Sequence, residues 1–356
     1  MNARATLLRW PRAIVLSDHF VLVLTLLYFL LMWAIYPHMG ARRNLANLFS
    51  NVWPLLALVI GQMFVLIVGG IDLSQTSIMA VTSVLGAMIM ATRFDPAKFE
   101  HNPLWEVVFS EQGGLLAGSA LAVPAAVLVI ILVGVSIGLL NGLAVAKLKM
   151  PPFMVTLVAM SFFSGLAIYL TRSENIMYLP AGFVAIGKGS FGPIPIAMLI
   201  VVLLAAVAFV VLDLSMLGRW FYAVGQNVKT ARVSGIPTER VVILAYVFSG
   251  FCAAVGAILY SARLEAGRPT LGRNLLLDVI GAAVIGGISL FGGKGKVLWA
   301  VYGVLFFVVL DNSLNKMPLD FYSIDIIKGS VILLAAILDA LRTGIVSRQV
   351  VLGGAS

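Results

Sequence analysis

Ten long, nearly uninterrupted apolar runs dominate this sequence, at about residues 20–36, 49–69, 73–91, 115–146, 153–171, 194–212, 241–262, 275–290, 297–310 and 324–341. A helix needs roughly 20 apolar residues to cross the hydrocarbon of a bilayer. In that medium every backbone N–H and C=O must be satisfied within the protein, which only helices and closed barrels achieve. The runs are continuous and do not alternate with polar residues, so barrel strands are excluded. The expected fold is all-α, a polytopic membrane protein with about ten transmembrane helices, and an even number of spans puts both termini on one side.

Composition narrows the function. Apolar residues make up 61% of the 356 and charged residues only 11%, whereas about a quarter of a soluble chain is charged. The longest polar stretch between runs is roughly 20–25 residues, too short for a globular domain outside the bilayer. Soluble enzymes and nucleic-acid-binding modules are therefore excluded. The net charge of +9 suggests no polyanion partner, because the basic residues sit singly in short loops, where they set topology. The partner it implies is membrane lipid, with no nucleic acid. A single cysteine, Cys252, lies in an apolar run and allows neither an internal disulfide nor a thiolate cage. His19, His38 and His101 stand at or beyond the ends of runs, which leaves no metal motif.

The first run follows a basic segment with Arg4, Arg9 and Arg12. It lacks a convincing A-x-A cleavage site and reads as an uncleaved helix. Residues 1–19 are expected to be a cytoplasmic N-terminal segment, 20–341 a transmembrane domain and 342–356 a cytoplasmic C-terminal tail. With the N-terminus inside, 13 Lys and Arg fall inside and 11 outside, a weak bias. Residues 92–114, with four acids against two bases, and residues 172–193 form the long polar loops outside. Residues 115–146 are too long for one upright helix and suggest a kink at Pro124, while 297–310 are short enough to suggest a partial span. GGIDLS at residues 69–74 is echoed by GGISLF at 286–291, which suggests an internal inverted repeat of the kind transporters use.

Few polar residues interrupt the runs. Gln62, Asn141, Thr156, Asn51 and Asn312 are costly in hydrocarbon and must face protein or water, as interhelical hydrogen-bonding groups or as lining of a path. Asp72, followed by Ser74, sits between two runs beside a glycine turn. It reads either as a helix N-terminal anion facing the helix dipole or as a gate or coupling residue. Gly134, Gly138 and Gly142 form a stripe that lets a neighbouring backbone approach, for packing or for sliding. No cluster of ionisable residues deep in a span is legible, which argues against an ion-coupled secondary transporter, and nothing points to a channel or a structural scaffold.

The chain has no GxxxxGK[ST], and Gly292-Gly293-Lys294-Gly295-Lys296 lacks both the spacing and the hydroxyl that such a loop needs. No catalytic motif is present, so the chain is expected not to be an enzyme, to bind no cofactor, and not to hydrolyse ATP itself. One segment, GRWFYAVGQNVKTARVSGIP at residues 218–237, is polar and glycine-punctuated, suited to docking into a partner's groove.

That segment resembles the cytoplasmic coupling segment of permease subunits in ribose/xylose/galactoside-type ABC sugar importers, through Gly218, Arg219, Tyr222, Ala223, Val224, Gly225, Asn227, Ala231, Arg232, Ser234, Gly235 and Ile236. Three further stretches fit the same family in order: GGIDLS, LNGLAVAKLKMPPFMVTLVAM at 140–160, and LLDVIGAAVIGGISLFGGKGKV at 276–297. The likeness covers about residues 45–340. The sequence departs where Gln75-Thr76 replaces a usual Val-Gly, Gln226 a usual Gly, and Gly281, Ile288 and Trp299 a usual Ala, Thr and Gly. The resemblance implies a multi-pass subunit of a bacterial inner membrane that translocates a monosaccharide or related polyol. It further implies a second permease chain, identical or paralogous, a periplasmic sugar-binding protein, and a cytoplasmic ATP-binding subunit that uses ATP and Mg. Related ABC permeases for nucleosides or branched-chain amino acids share the architecture and remain the alternative.

Overall fold

A computed structural model of the chain describes residues 17–102 and 104–353, with side chains described as far as residue 337. The basic segment containing Arg4, Arg9 and Arg12 lies outside the described residues. All ten apolar runs fall on helices. These are α1 (Phe20–Ile35), α2 (Arg42–Ile67), α3 (Gln75–Met90), α4 (Ala122–Ala146), α5 (Pro152–Thr171) and, after a short surface helix α6 (Ala181–Lys188), α7 (Ile196–Phe209). Two polar helices, α8 (Met216–Gln226) and α9 (Val228–Val233), precede α10 (Thr238–Leu264), α11 (Leu276–Gly286), α12 (Val297–Leu314) and α13 (Phe321–Gly353). The last helix thus continues through most of the expected tail. Among the described residues, strand is confined to a hairpin of two two-residue strands, β1 (Ser190–Phe191) with β2 (Ile194–Pro195).

Among the described residues, six helices are long and apolar enough to cross a membrane: α2, α4, α5, α7 with its continuation to Leu214, α10 and α12. Their order in the bundle follows from what they bury. The spanning stretch of α2 is 89% buried, against 22–28% for α4, α5 and α7, so α2 is enclosed by protein while the other three present apolar side chains outward. Leu128, Leu132, Val158, Phe162, Leu203 and Val207 are exposed in this way. In water such patches would drive association; in a bilayer they meet acyl chains.

Lipid tails are as apolar as leucine, so helices associate in the membrane through close packing and hydrogen bonds. The main packing axis here is α10, which lies against α4 and α2. The Gly134, Gly138, Gly142 stripe is the face α4 turns to α10. A Cβ on Gly134 would stand 2.7 Å from the Gly250 carbonyl oxygen, and one on Gly142 2.9 Å from Ile243 Cα. Gly61 of α2 meets the opposite face of α10, at Cys252 and Ser249, and Cys252 is a buried core residue.

Two expectations about the spans are corrected. Residues 115–146 do not form one kinked helix, because residues 114–116 fold back and donate to the carbonyls of Ala91, Met88 and Ile89 at the C-terminus of α3. Pro124 is consequently the third residue of α4, where no preceding turn exists for its ring to clash with. The run at 297–310 is not a partial span, since α12 extends to Leu314 and reaches 18 residues. The short helix is instead α11, whose 11 residues cover only about 16 Å.

The echo between GGIDLS and GGISLF marks two turns at one end of the molecule, where the N–H of Gly293 donates to the carbonyl of Ile67 (2.8 Å). Both motifs follow helix C-termini, α2 and α11 run in the same direction, and the echo therefore does not mark an inverted repeat. Gly69 (φ +79°) and Gly287 (φ +104°) adopt the left-handed conformation that glycine takes without strain. We refer to this as the glycine end.

The opposite end carries the long loops, which are more ordered than their polarity suggests. Phe94 stacks on Phe109 at 4.4 Å and meets Phe99 edge-on at 5.2 Å. Ile176 and Gly267 exchange backbone hydrogen bonds, and Lys98 pairs with Glu174 at 3.0 Å. Near the glycine end, Lys296 donates to Asp18 (2.6 Å), and this bond holds the Asp18 carboxyl below its usual range. The tie to α12 is therefore present at neutral pH and is lost only as pH falls through the lowered pKa.

Replacing Gly138 by leucine should overpack the α4–α10 contact and destabilise the chain by about 1–3 kcal/mol. Leucine at Gly165, which has nothing within 4 Å, should leave stability unchanged. Thermal melting of both variants in mild detergent checks this, and equal melting temperatures would remove the stripe from the packing argument.

Candidate functional site

Two groups of polar side chains are built into the bundle. The first forms where the turn after α2 passes α4, α5 and α10, and it contains Asp72, Ser74, Gln62, Asn141 and Thr156 of the sequence-predicted pathway or gate residues, while Asn51 and Asn312 fall in the second. Asp72 Oδ1 accepts from the backbone N–H of Ser74 (2.9 Å) and from its hydroxyl (2.6 Å), while Oδ2 accepts from the hydroxyl of Ser249 on α10 (2.6 Å). Asn141 on α4 donates to Ser74 Oγ (2.8 Å). Gln75 Nε2 donates to Ser249 Oγ (2.8 Å) and to the Leu58 carbonyl (3.2 Å). With its amide turned to satisfy both groups, Gln62 donates to the Asp72 carbonyl at 3.0 Å and accepts from the Asp72 N–H at 3.3 Å. Thr156, in the first turn of α5, donates to the carbonyl of Ile71 (3.2 Å).

The network fixes the turn to three helices at once. Gln62, Asp72, Ser74, Asn141 and Thr156 are all buried, none more than 4% exposed, so they meet one another and line no open space. Ser74 is the N-cap of α3, yet its side chain makes no capping bond. Asp72 binds the N–H and hydroxyl of that cap residue, short of the first turn of the helix. Sequence reasoning missed Ser249, an unremarkable serine in a long apolar run that only the α4–α10 approach brings to Asp72. It also passed over Tyr246, whose buried hydroxyl has no partner among the described residues and occupies the space above Gly70, where a Cβ would come within 2.7 Å of it.

The predicted coupling segment divides into α8 and α9, each with its own cap. The Ser215 hydroxyl accepts from Gly218 N–H (3.3 Å) and the Asn227 side chain from Thr230 N–H (3.0 Å). Just before it, α7 ends in a π-helical turn, Val210–Leu214, a geometry that recurs at functional sites. Gly218 packs on the Leu212 carbonyl of that turn.

Gly225 packs on the Ile67 carbonyl, and a Cβ there would also stand 2.6 Å from Gly293 N; Tyr222 donates to the Gly295 carbonyl (2.7 Å). The glycine-rich turns after α2 and α11 thus form the seat of α8, five residues from Asp72. Beyond the seat the segment is open. Arg219, Asn227, Arg232, Ser234 and Gly235 are exposed, Ala231 is buried beneath α9, and Val233 is 90% exposed. A Cβ on Gly235 (φ +80°) would meet nothing within 4 Å, and the residue forms the open turn into α10.

The second polar group overturns the expectation that no ionisable cluster lies within the bundle. Toward the loop end, Lys328 of α13 reaches Asp278 of α11 (3.0 Å) and Asp311 of α12 (2.6 Å). Beside them Arg263 donates to Asn51. Next to Asp311 on α12, Asn312 pairs with Asn44 of α2 through two hydrogen bonds of 3.0 and 3.1 Å. These partners lie between 17 and 268 positions apart in sequence, and no local spacing announces them.

Removing the Asp72 carboxylate strands the hydroxyls of Ser74 and Ser249. Asp72→Ala should cost about 1–3 kcal/mol, whereas Asp72→Asn, which keeps acceptor and shape, should cost less. Melting curves of the two variants in one detergent test this, and equal losses would contradict it.

The family model described as the branched-chain amino acid transport system / permease component matches residues 44–336. The ribose import permease protein of Bacillus subtilis (strain 168) is 34% identical over 301 residues, which is 83% of this chain and 84% of that protein. The ribose import permease protein of Escherichia coli (strain K12) is 31% identical over 311 residues, 85% of this chain and 87% of its own. The D-allose transport system permease protein of the same strain is 28% identical over 298 residues, 84% and 83% of the two chains. No solved structure matches.

Proposed function

The chain belongs to the permease family whose model it matches, and on that premise we propose that it is the membrane-spanning subunit of an ATP-driven ABC importer in a bacterial inner membrane. Its cargo is a monosaccharide or related polyol, the class named in its relatives for ribose and allose. The chain crosses the membrane with ten helical segments, the termini and the glycine end facing the cytoplasm and the loop end facing outward. A cytoplasmic ATP-binding subunit uses ATP and Mg, an external binding protein delivers the sugar, and a second permease chain completes the path.

One observation carries the mechanism: the seat of α8 and the Asp72 network share one short turn, residues 67–74. ATP-driven closure of the ATPase subunits displaces α9 and α8. The displacement reaches Ile67 through the Gly225 contact, with no intervening side chain to absorb it. Asp72 passes it to α10 through Ser249 and to α4 through Ser74 and Asn141. Because α4 and α10 touch through backbone along the glycine stripe, they tilt together, and access to the path at the permease interface changes sides. The π-helical turn before α8 and the open turn at Gly235 accommodate the movement. In this reading Asp72 is a coupling element, and Gln62 and Thr156 hold the turn so that it moves as one body.

Val233 on α9 is the contact to the ATPase subunit that the geometry favours, since a large apolar side chain that is 90% exposed beside Arg232 and Lys229 fits a hydrophobic groove with an acidic rim. Val233→Asp should leave the melting temperature within about 1 °C of wild type, because the residue packs on nothing. The same change should lower substrate-stimulated ATP hydrolysis of the assembled complex at least about tenfold, a coupling loss near 1.4 kcal/mol. The assay is co-purification of the ATPase subunit in mild detergent followed by hydrolysis in liposomes with binding protein present. Undiminished stimulation with a fully assembled complex would show that α9 does not couple the two subunits.

A further inference from the structure

The Asp278–Lys328–Asp311 group borders a cavity of about 200 Å³, lined by Asn51, Leu55, Tyr260, Asp278, Phe307 and Asp311 among others. Drug-sized ligands occupy about 300–1,000 Å³, so this cavity suits something smaller. Its wall has three chemical features. Two carboxylates, Asp278 and Asp311, face it, both held in place by Lys328 (3.0 and 2.6 Å). Hydrogen-bonding capacity remains unspent: among the described residues the Tyr260 hydroxyl and Asp311 Oδ2 have no protein partner, and Asn51 retains its amide donors after its oxygen accepts from Arg263. Finally, the Phe307 ring and the Leu55 side chain supply an apolar wall beside the polar one, with Lys328 Nζ 5.7 Å from the ring centroid.

Densely hydroxylated and apolar on its C–H faces is the description of a monosaccharide. We propose that this cavity is a sugar-binding subsite inside the permease, distinct from the Asp72 network, in which Asp311 accepts from ring hydroxyls, Tyr260 and Asn51 donate to them, and Phe307 packs against C–H groups. The proposal rests on the import of sugars argued above and adds a site for the cargo. Its position toward the loop end, opposite the α8 seat, places it where cargo enters. Its walls belong to α2, α10, α11 and α12, and Lys328 clamps α13 onto two of them. A tilt of α10 moves Tyr260 and so reshapes the cavity, which gives one helix control of both the Asp72 network and the cargo site.

The test titrates the full chain in nanodiscs with D-ribose, D-allose and D-galactose, with L-leucine as the comparison, by calorimetry. In parallel, uptake of the same labelled sugars is measured in liposomes carrying the assembled importer. Wild type should bind at least one sugar and not leucine. Tyr260→Phe, which removes one oxygen, and Asn51→Ala should each weaken that binding about three- to tenfold and raise the KM for uptake in step. Leu275→Trp, which puts an indole into the cavity lining without touching a charged group's own side chain, should abolish binding. It guards against a loss caused by misfolding, because its melting temperature should be unchanged.

Uptake by the wild-type complex with no sugar binding to the chain, or with all three variants indistinguishable from wild type, overturns the subsite and leaves import intact. Binding of leucine in preference to the sugars overturns the assignment of the ligand. No uptake of any sugar by a sealed and assembled complex removes the import of sugars and the subsite together.

Discussion

The structure depends on the close approach of α4 and α10. In a bilayer these helices have no hydrophobic reason to prefer each other over lipid, and only short-range packing and hydrogen bonds join them. Glycines at 134, 138 and 142 on one helix, met by Gly250 on the other, let backbone lie on backbone. Everything polar near the glycine end follows. Asn141 lies within the stripe and Ser249 lies next to Gly250, so the approach that brings Gly138 to the Tyr246 carbonyl also delivers one amide and one hydroxyl to the turn that carries Asp72. A bulkier stripe would separate the helices, leave Asp72 without Ser249, and strand a carboxylate among apolar side chains at high cost.

Around that axis the molecule is asymmetric along the membrane normal. The glycine end is a set of thin backbone contacts between α8 and the turns after α2 and α11, with side chains excluded by the glycines themselves. The loop end is the reverse, with an aromatic cluster of Phe94, Phe99 and Phe109, paired backbones at Ile176 and Gly267, and long ionic side chains. Backbone contacts between rigid helices transmit displacement well. Side-chain-rich surfaces with many adjustable groups suit recognition. The asymmetry therefore matches a subunit driven from one face that handles a solute at the other.

The glycine-end network was largely legible in sequence because it sits at a turn, where the chain announces itself with Gly-Gly, an acid and a hydroxyl residue within six positions. Gln62, Asn141 and Thr156 stood out for the same reason that isolated polar residues in apolar runs always do. Their mutual hydrogen bonds were not legible, and Ser249 and Tyr246 were missed, because serine and tyrosine are common enough in membrane helices to carry no signal alone. The loop-end cluster was missed altogether. Asp278, Asp311 and Arg263 lie near helix ends, where charges look like ordinary flanking residues, and Lys328 looks like a second-turn lysine reaching for the surface. Only the tertiary arrangement turns these flanks toward one another.

By itself the sequence determined the class, the apolar segments, the polar segment that became α8 and α9, and the residues of the turn at 69–74. These follow from local rules, namely the apolar length that hydrocarbon demands, the need to satisfy backbone groups in it, and the few residues that tolerate a left-handed turn. The tertiary structure decided which faces of the helices meet. Most of the spanning helices are apolar on all sides, so no periodic stripe distinguishes an inward face from one that meets lipid. Where pattern is silent, steric fit between helices chooses the face, and that choice sets Ser249 against Asp72 and closes Asp278, Asp311 and Lys328 around a common cavity.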